Sequence, residues 1–277
     1  MSILKSSWSL VAVGAFVVAA VMVSFLLTAR IPDWLSTVLA AALGGGIASA
    51  IVYTAALIDR RTRVLNKLIR AGTAETRAMT NIRPLFDERP VNVDGWALSA
   101  EASERVVHEV MTRRPALIVE CGSGTSTLLM ATCLREFEID GQIISIDHDS
   151  TYAQATRDLL DQRGVADRAT VVTAPLASRT IDGQSVQWYD LDPEDHLNTK
   201  IDFLLVDGPP NPLGSMIRFP AVPIFQKYLS TDALILLDDG QRQDERKVAK
   251  AWANDFEFDT SLEGSWCPYW VVRPPSS

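Results

Sequence analysis

Two long apolar runs open the chain. Residues 10–29, Leu10 to Ala29, carry no charge, and a run of about 20 such residues matches the hydrocarbon thickness of a bilayer. A second run covers 34–58, Trp34 to Ile58. Only Arg30-Ile31-Pro32-Asp33 separates them, and proline discourages a continuous helix, so the pattern predicts two spans folded as a transmembrane hairpin with both ends on one side. Arg60, Arg61, Arg63, Lys67 and Arg70 follow at once, the positive cluster that marks a cytoplasmic flank. A cleaved secretory signal fits less well, because a second full-length span follows directly. Gly44, Gly45 and Gly46 would let helices approach closely, which raises self-association as homo-oligomers. The expected division is therefore a membrane hairpin over 1–58, a basic juxtamembrane segment and linker over 59–97, and a globular domain over 98–277. The linker rests on Pro84, Pro90 and Gly95 and on weak periodicity from residue 71.

Beyond Leu98, helical and strand-like patterns alternate. The periodicity predicts helices over Ser99–Thr112, Ser126–Glu138, Thr151–Arg163, Ser215–Tyr228 and Gln243–Asp255. It predicts strands over Ala116–Glu120, Gln142–Ile146, Thr170–Thr173, Ile201–Val206 and Ala233–Leu237. These strands are nearly continuous apolar runs, as in a parallel sheet covered on both faces. Glu257–Leu262 and Pro268–Val272 flank Glu263-Gly264-Ser265 and predict a closing antiparallel hairpin. The expected fold class is α/β, a Rossmann-like doubly wound, mostly parallel sheet of about seven strands.

Charge narrows the partners. The net charge is -8, yet residues 1–70 carry seven Lys or Arg against Asp33 and Asp59, a balance of +5 that leaves -13 for the rest. A domain so acidic repels a phosphate backbone, so nucleic acid is not an expected partner, and small molecules or neutral glycans fit better. Cys121, Cys133 and Cys267 are odd in number and lack paired C-x-x-C spacing, which argues for free thiols in a reducing compartment.

The sharpest chemical signal is Glu120-Cys121-Gly122-Ser123-Gly124-Thr125-Ser126-Thr127, where a buried strand turns through glycines into a helix. Glycine lets a ligand approach the backbone, and the amides opening the helix attract its polar groups. Asp147 ends the next strand, where a carboxylate can accept hydrogen bonds from both hydroxyls of a ribose, while Asp149 or Ser150 is placed to cap the following helix. Asp207 ends the fourth strand, and Asp238 and Asp239 end the fifth, so three carboxylates are expected in one cleft. Converging carboxylates raise each other's pKa or gather around a hard cation such as magnesium, unless Arg218 or Arg242 neutralises them. Trp188 and Tyr189 are either an acceptor wall or packing, and His196 is either a base or a solvated loop residue.

Taken together, the strand-Glu-x-Gly-x-Gly turn, the acid at Asp147 and Asp202-Phe203-Leu204-Leu205-Val206-Asp207-Gly208 resemble class I S-adenosylmethionine-dependent methyltransferases from about Leu98 onward. Within that superfamily, Gly122 to Thr127, Val206 to Pro210, Arg218 to Ala221 and Leu237-Asp238-Asp239 with Arg242 and Glu245 are similar to a bacterial membrane-anchored group of uncharacterised specificity. The resemblance implies S-adenosylmethionine as cofactor, with Glu120, Gly122 and Gly124 around its methionine part and Ser123 and Thr125 lending contacts. It implies His148 beside the adenine, with Ala174-Pro175-Leu176 bordering the ring. Many relatives carry an acid at the Ala174 position to meet the adenine amino group; this chain does not, so recognition there is expected from backbone groups. Asp207 is implied to face the acceptor as general base, with Asp238 and Asp239 beside it, and the catechol-type members imply a metal at Asp207, Asp238 and Asp239. The expected activity is methyl transfer to a hydroxyl of a small molecule, glycan or lipid-linked acceptor at the cytoplasmic face of the inner membrane. Three other readings remain. An NAD(P)-binding oxidoreductase lacks the third glycine of G-x-G-x-x-G, where Thr127 stands. An aminopropyltransferase shares the resembled fold. A membrane-tethered nucleotide-binding scaffold would have no chemistry at all.

Overall fold

The computed structural model describes Val21, Ser24 and residues 32–86, 98–181 and 183–275. The first expected span therefore lies outside the described residues, apart from two helical positions, as do 87–97 of the expected linker. By internal contacts the chain divides into two compact units, Met1–Lys67 and Leu68–Ser277.

Helix α1 runs over Asp33–Ile82, fifty residues. Pro32 precedes it, and its carbonyl accepts from the Leu35 and Ser36 amides, so the proline opens the helix where its missing N–H costs nothing. The second expected span is thus helical. With the turn that follows, Asp33–Phe86, it is the one helix among the described residues long and apolar enough to cross a membrane, with mean hydropathy 1.9 and none of its apolar window buried.

Residues 71–82, expected to open a linker, are instead the last turns of α1. Ala78 and Ile82 are fully or almost fully buried, and with Phe86 they join the core. Small and apolar residues at 71, 78 and 82 make a narrow stripe, and helix α2 (Ala100–Arg113) starts under its carboxylate: Glu75 accepts from the amides of Ala100 and Glu101 at 2.5 and 3.2 Å. The weak periodicity of this segment concealed a packed helix, because a stripe that narrow barely raises an amphipathic signal.

From there the alternation is as read. Strand β1 (Leu117–Cys121) leads to helix α3 (Thr125–Glu136), β2 (Gln142–Asp147) to α4 (Ser150–Arg163), and β3 (Ala169–Thr173) follows. Strand β6 (Ile201–Val206), a short α5 (Ala221–Phe225), β7 (Leu229–Leu237), α6 (Gln243–Asp255) and the hairpin β8 (Asp259–Glu263) and β9 (Tyr269–Arg273) complete the sheet. Its seven strands run β3-β2-β1-β6-β7-β9-β8, parallel from β3 to β7 and antiparallel at the β9-β8 edge. Successive residues alternate faces. Ile118, Ile143 and Phe203 pack under α2, α3 and α4, while Leu117, Val119, Leu204 and Val206 pack under α5 and α6.

Two departures from the expected elements matter. Ser215–Tyr228 is not one helix: the α-helical part is Ala221–Phe225, opened by Pro220, and Met216 takes a left-handed φ of 51°. Between β3 and β6 lies an unexpected two-stranded hairpin, β4 (Leu176–Ile181) and β5 (Gln184–Tyr189), turning at Gly183 with φ 78°. Its far end delivers Trp188 and Tyr189, both buried, to the carboxyl edge of the sheet.

Candidate functional site

The carboxyl ends of β1, β2 and β6 surround a cavity of about 240 Å³ lined by Glu120, Gly122, Ser123, Asp147, His148, Asp149, Tyr152, Tyr189, Asp207, Gly208 and Pro210. It lies beside the first crossover of the sheet, where the order β3-β2-β1 gives way to β6, the place where open α/β sheets take ligands. Gly122 and Gly124 bend the chain away from β1 with φ of 108° and 141°, values that side chains rarely tolerate. Gly122 N–H donates to Ile146 O at 2.8 Å, which ties the bend to β2.

At the end of β2, Asp147 is buried and accepts from the Ser123 hydroxyl at 2.6 Å and from the Asp149 amide at 3.0 Å. His148 Nδ1 stands 3.4 Å from the same carboxylate. Asp149 caps α4 by accepting from the Thr151 and Tyr152 amides. These contacts fix Asp147 toward the cavity and leave His148 and Tyr152 as its rim.

Glu120 is fully buried. Its carboxylate accepts from the hydroxyls of Ser126 and Ser145, and from Thr127 at 2.6 Å. Burial pushes its pKa up to about 6, although the three hydroxyls pull the other way. Thr127, where a dinucleotide motif would have glycine, is thus spent anchoring α3 to β1. Gly124 and Thr125 shape the turn, and Ala174 is buried behind the hairpin; none of the three is among the residues lining the cavity.

Asp207, Asp238 and Asp239 do come together, with carboxylate oxygens of all three within 4.8 Å of one another. Arg218 comes with them. Its side chain is 3% exposed, and its Nη2 donates to Asp207 O at 2.7 Å and Oδ1 at 3.2 Å and stands 3.1 Å from Asp239 Oδ2. Nη1 and Nε reach the carbonyls of Asp238 and Pro209, both at 3.3 Å. Arg242 adds a second cation 2.6 Å from Asp239. Burial works against the Arg218 charge, but Asp207, Asp239, Asp238 and Glu245 outweigh it and hold the guanidinium more firmly protonated than usual. Two of the three carboxylates, Asp207 and Asp239, are therefore already paired with a fixed guanidinium, which works against a divalent ion there.

Burial also raises Asp207 well above the ordinary carboxylate range, reinforced by Asp238 and opposed by Arg218. Asp238, 7% exposed, is pushed up to about 6 by burial and by Asp239, and its Oδ1 has no hydrogen-bond partner among the described residues. Only Asp207 of the three faces the cavity, with 17% of its side chain exposed. His196 stays in a surface loop away from these groups, exposed after a single 3-10 turn. Pro210 lies in the Val206 to Pro210 segment already singled out, whereas Tyr152 escaped; an aromatic residue in the first turn after the β2 acid was the available signal for it.

Comparison with known proteins extends this picture. The model of a family described as a methyltransferase domain matches residues 119–240, which span the glycine bend, Asp147, Asp207 and Asp239. None of the curated proteins matches the sequence. Among solved structures, a methyltransferase from Podospora anserina with S-adenosylhomocysteine bound superposes with a TM-score of 0.51 at 18% identity, covering 73% of this chain and 88% of that one. An O-methyltransferase from Bacillus cereus in complex with S-adenosylhomocysteine gives 0.51 at 13% identity, covering 73% and 91%. At such identities these likenesses concern the fold.

Proposed function

We propose that this chain is a class I S-adenosylmethionine-dependent methyltransferase that binds that cofactor in the Asp147 cleft and methylates a hydroxyl of a small acceptor presented beside Asp207. The observation that carries the reading is the charge of the cleft. Glu120, Asp147, Asp149 and Asp207 line it, and no Lys or Arg does among the described residues. A ligand bearing a sulfonium and an ammonium group suits such a lining, whereas the pyrophosphate of a dinucleotide would be set against four acids. Together with Thr127 in place of the third glycine, this disfavours the oxidoreductase reading.

In the proposed arrangement Asp147 accepts from the ribose hydroxyls, and Gly122 and Ser123 admit the amino-acid part against the backbone. The cofactor supplies a methyl carbon on positively charged sulfur, open to in-line attack. Asp207 does the rest of the chemistry. Its raised pKa suits it to take the acceptor's proton while the acceptor oxygen forms its bond to carbon and the carbon–sulfur pair returns to sulfur. Arg218 holds Asp207 by backbone and side chain together, so the base is aimed without a metal ion.

The location belongs to the same proposal. The apolar stretch of α1 up to Ile58, followed within the same helix by Arg60, Arg61, Arg63, Lys67 and Arg70, would place the catalytic unit on the cytoplasmic side of the inner membrane, within reach of lipid-linked, glycan or membrane-dissolved acceptors. Comparing small-molecule and lipid extracts of cells with and without the protein should reveal a species heavier by about 14 Da, one added methylene. Loss of that species in an Asp207→Asn strain that still expresses the protein is the expected companion result. An unchanged product there would remove Asp207 from catalysis.

A further inference from the structure

The apolar surface of α1 does not stop where its charges begin. Every residue from Gly44 to Lys67 is exposed, with nothing among the described residues packed over this stretch. Asp59, Arg60, Arg61, Arg63 and Lys67 mark 59–67 as a segment that belongs in water and not in hydrocarbon. Those charges avoid one side of the helix. At about 100° per residue, Gly44, Ile47, Ile51, Ile58, Thr62 and Leu65 fall in a single stripe about a quarter of a turn wide, recurring at intervals of three, four and seven residues. Arg61 flanks the stripe. Arg60, Arg63 and Lys67 lie on the far side, where Asp59 pairs with Arg63. Ile58 and Leu65, at and beyond the end of the apolar run, are 64% and 57% exposed.

We infer that this stripe is the seam of a parallel homodimer, in which a second copy of α1 packs against it from Gly44 to Leu65, an inference that rests on the membrane anchoring proposed above. The stripe passes from uncharged into charged sequence along one unbroken helix, so whatever covers it has to run beside it through hydrocarbon and then through water. Lipid chains cover only the first part and a soluble protein only the second. Another α1 covers both, bringing the same residues to the same depth about a two-fold axis. Intervals of three, four and seven residues are those that keep two helices in contact over many turns. Gly44 lets the backbones approach within the span, and Ile58 and Leu65 supply the side chains that pack at and beyond its end. Arg60, Arg63 and Lys67 turn outward in each copy, so like charges do not meet across the seam. The pairing also gives 59–67 the packing on its apolar side that a short helix alone in water lacks.

Disulfide trapping in membranes that carry the full-length protein tests the seam, with Cys267→Ser in every variant because Cys267 is the one native thiol that is not buried. Under a mild oxidant, Leu65→Cys should shift on a non-reducing gel to twice the mass of the chain, since residues on a two-fold seam face their own copies within disulfide reach. Lys67→Cys, on the far side of the helix, should stay at the mass of one chain. Sedimentation equilibrium of the wild type in detergent should give the mass of the dimer, and Leu65→Glu should shift it to that of a single chain. A monomeric wild type, equal trapping at positions 65 and 67, or a Leu65→Cys adduct with a different protein each overturns the seam. Wild-type chain recovered in the soluble fraction instead overturns the anchoring on which the seam depends.

Discussion

Glu120 and Asp238 are both pushed up to about 6 by burial, from ordinary values of 4.5 and 3.8, so between about pH 4 and 6 the folded chain holds protons that the unfolded chain releases. Their contribution to stability is complete on the acid side and is lost as pH rises through about 6. Glu120→Gln should flatten that part of the melting-temperature profile, and a variant profile that retains the full slope would show that the buried carboxyl is not its source. Asp147 makes a different kind of claim. Asp147→Ala should weaken S-adenosylhomocysteine binding by roughly ten- to a hundredfold, the range for hydrogen bonds to a charged group, and equal affinity would dismiss the ribose role. Arg218 carries the metal question. In the wild type, millimolar magnesium should leave the melting temperature unchanged; Arg218→Met should cost about 3 to 5 kcal/mol, because it strands the buried Asp207 without its cation while Asp239 keeps only Arg242. A saturable magnesium stabilisation of the wild type would show that an ion, and not the guanidinium, organises these carboxylates.

Helix α1 decides where the catalytic unit begins. Ala78 and Ile82 contribute to the core, and Glu75 caps α2, so Ile82→Ala should destabilise by about 2 to 5 kcal/mol, read by denaturant unfolding. A chain started at Leu68 should keep the stability that one started at Leu98 loses; equal stability of the two would mean that these turns are dispensable. This is also where the sequence was least transparent. The strands of the parallel sheet were legible because burial on both faces forces continuous apolar runs, as in Leu117–Cys121 and Ile201–Val206, and the glycine bend was legible because its positive φ values demand glycine. Residues 71–82 were not, since Ala and Thr in a narrow contact stripe look like a linker. The β4–β5 hairpin hid for a related reason: Ser178, Arg179 and Thr180 give it a polar strand, and only Asp182-Gly183 signalled a turn. Pro220 was visible in the sequence, and the start of the helix only after it follows from the fixed φ and missing N–H of proline, while Pro223 is tolerated in the first turn.

At the scale of the whole molecule, an apolar helix and an acidic domain share one chain, with a charge of +5 over residues 1–70 against -13 beyond. The full-length protein should sediment with membranes and resist extraction at alkaline pH, while release into the supernatant would refute the anchoring role of α1. The central claim is more basic: an acid-lined cleft across Gly122, closed at Asp147, selects a cationic nucleoside. Calorimetric titration of the purified protein with S-adenosylmethionine and, separately, with NAD tests it most directly. Saturable one-to-one binding of S-adenosylmethionine, with NAD at least about a hundredfold weaker, is the predicted result. Heat from NAD with none from S-adenosylmethionine would contradict it.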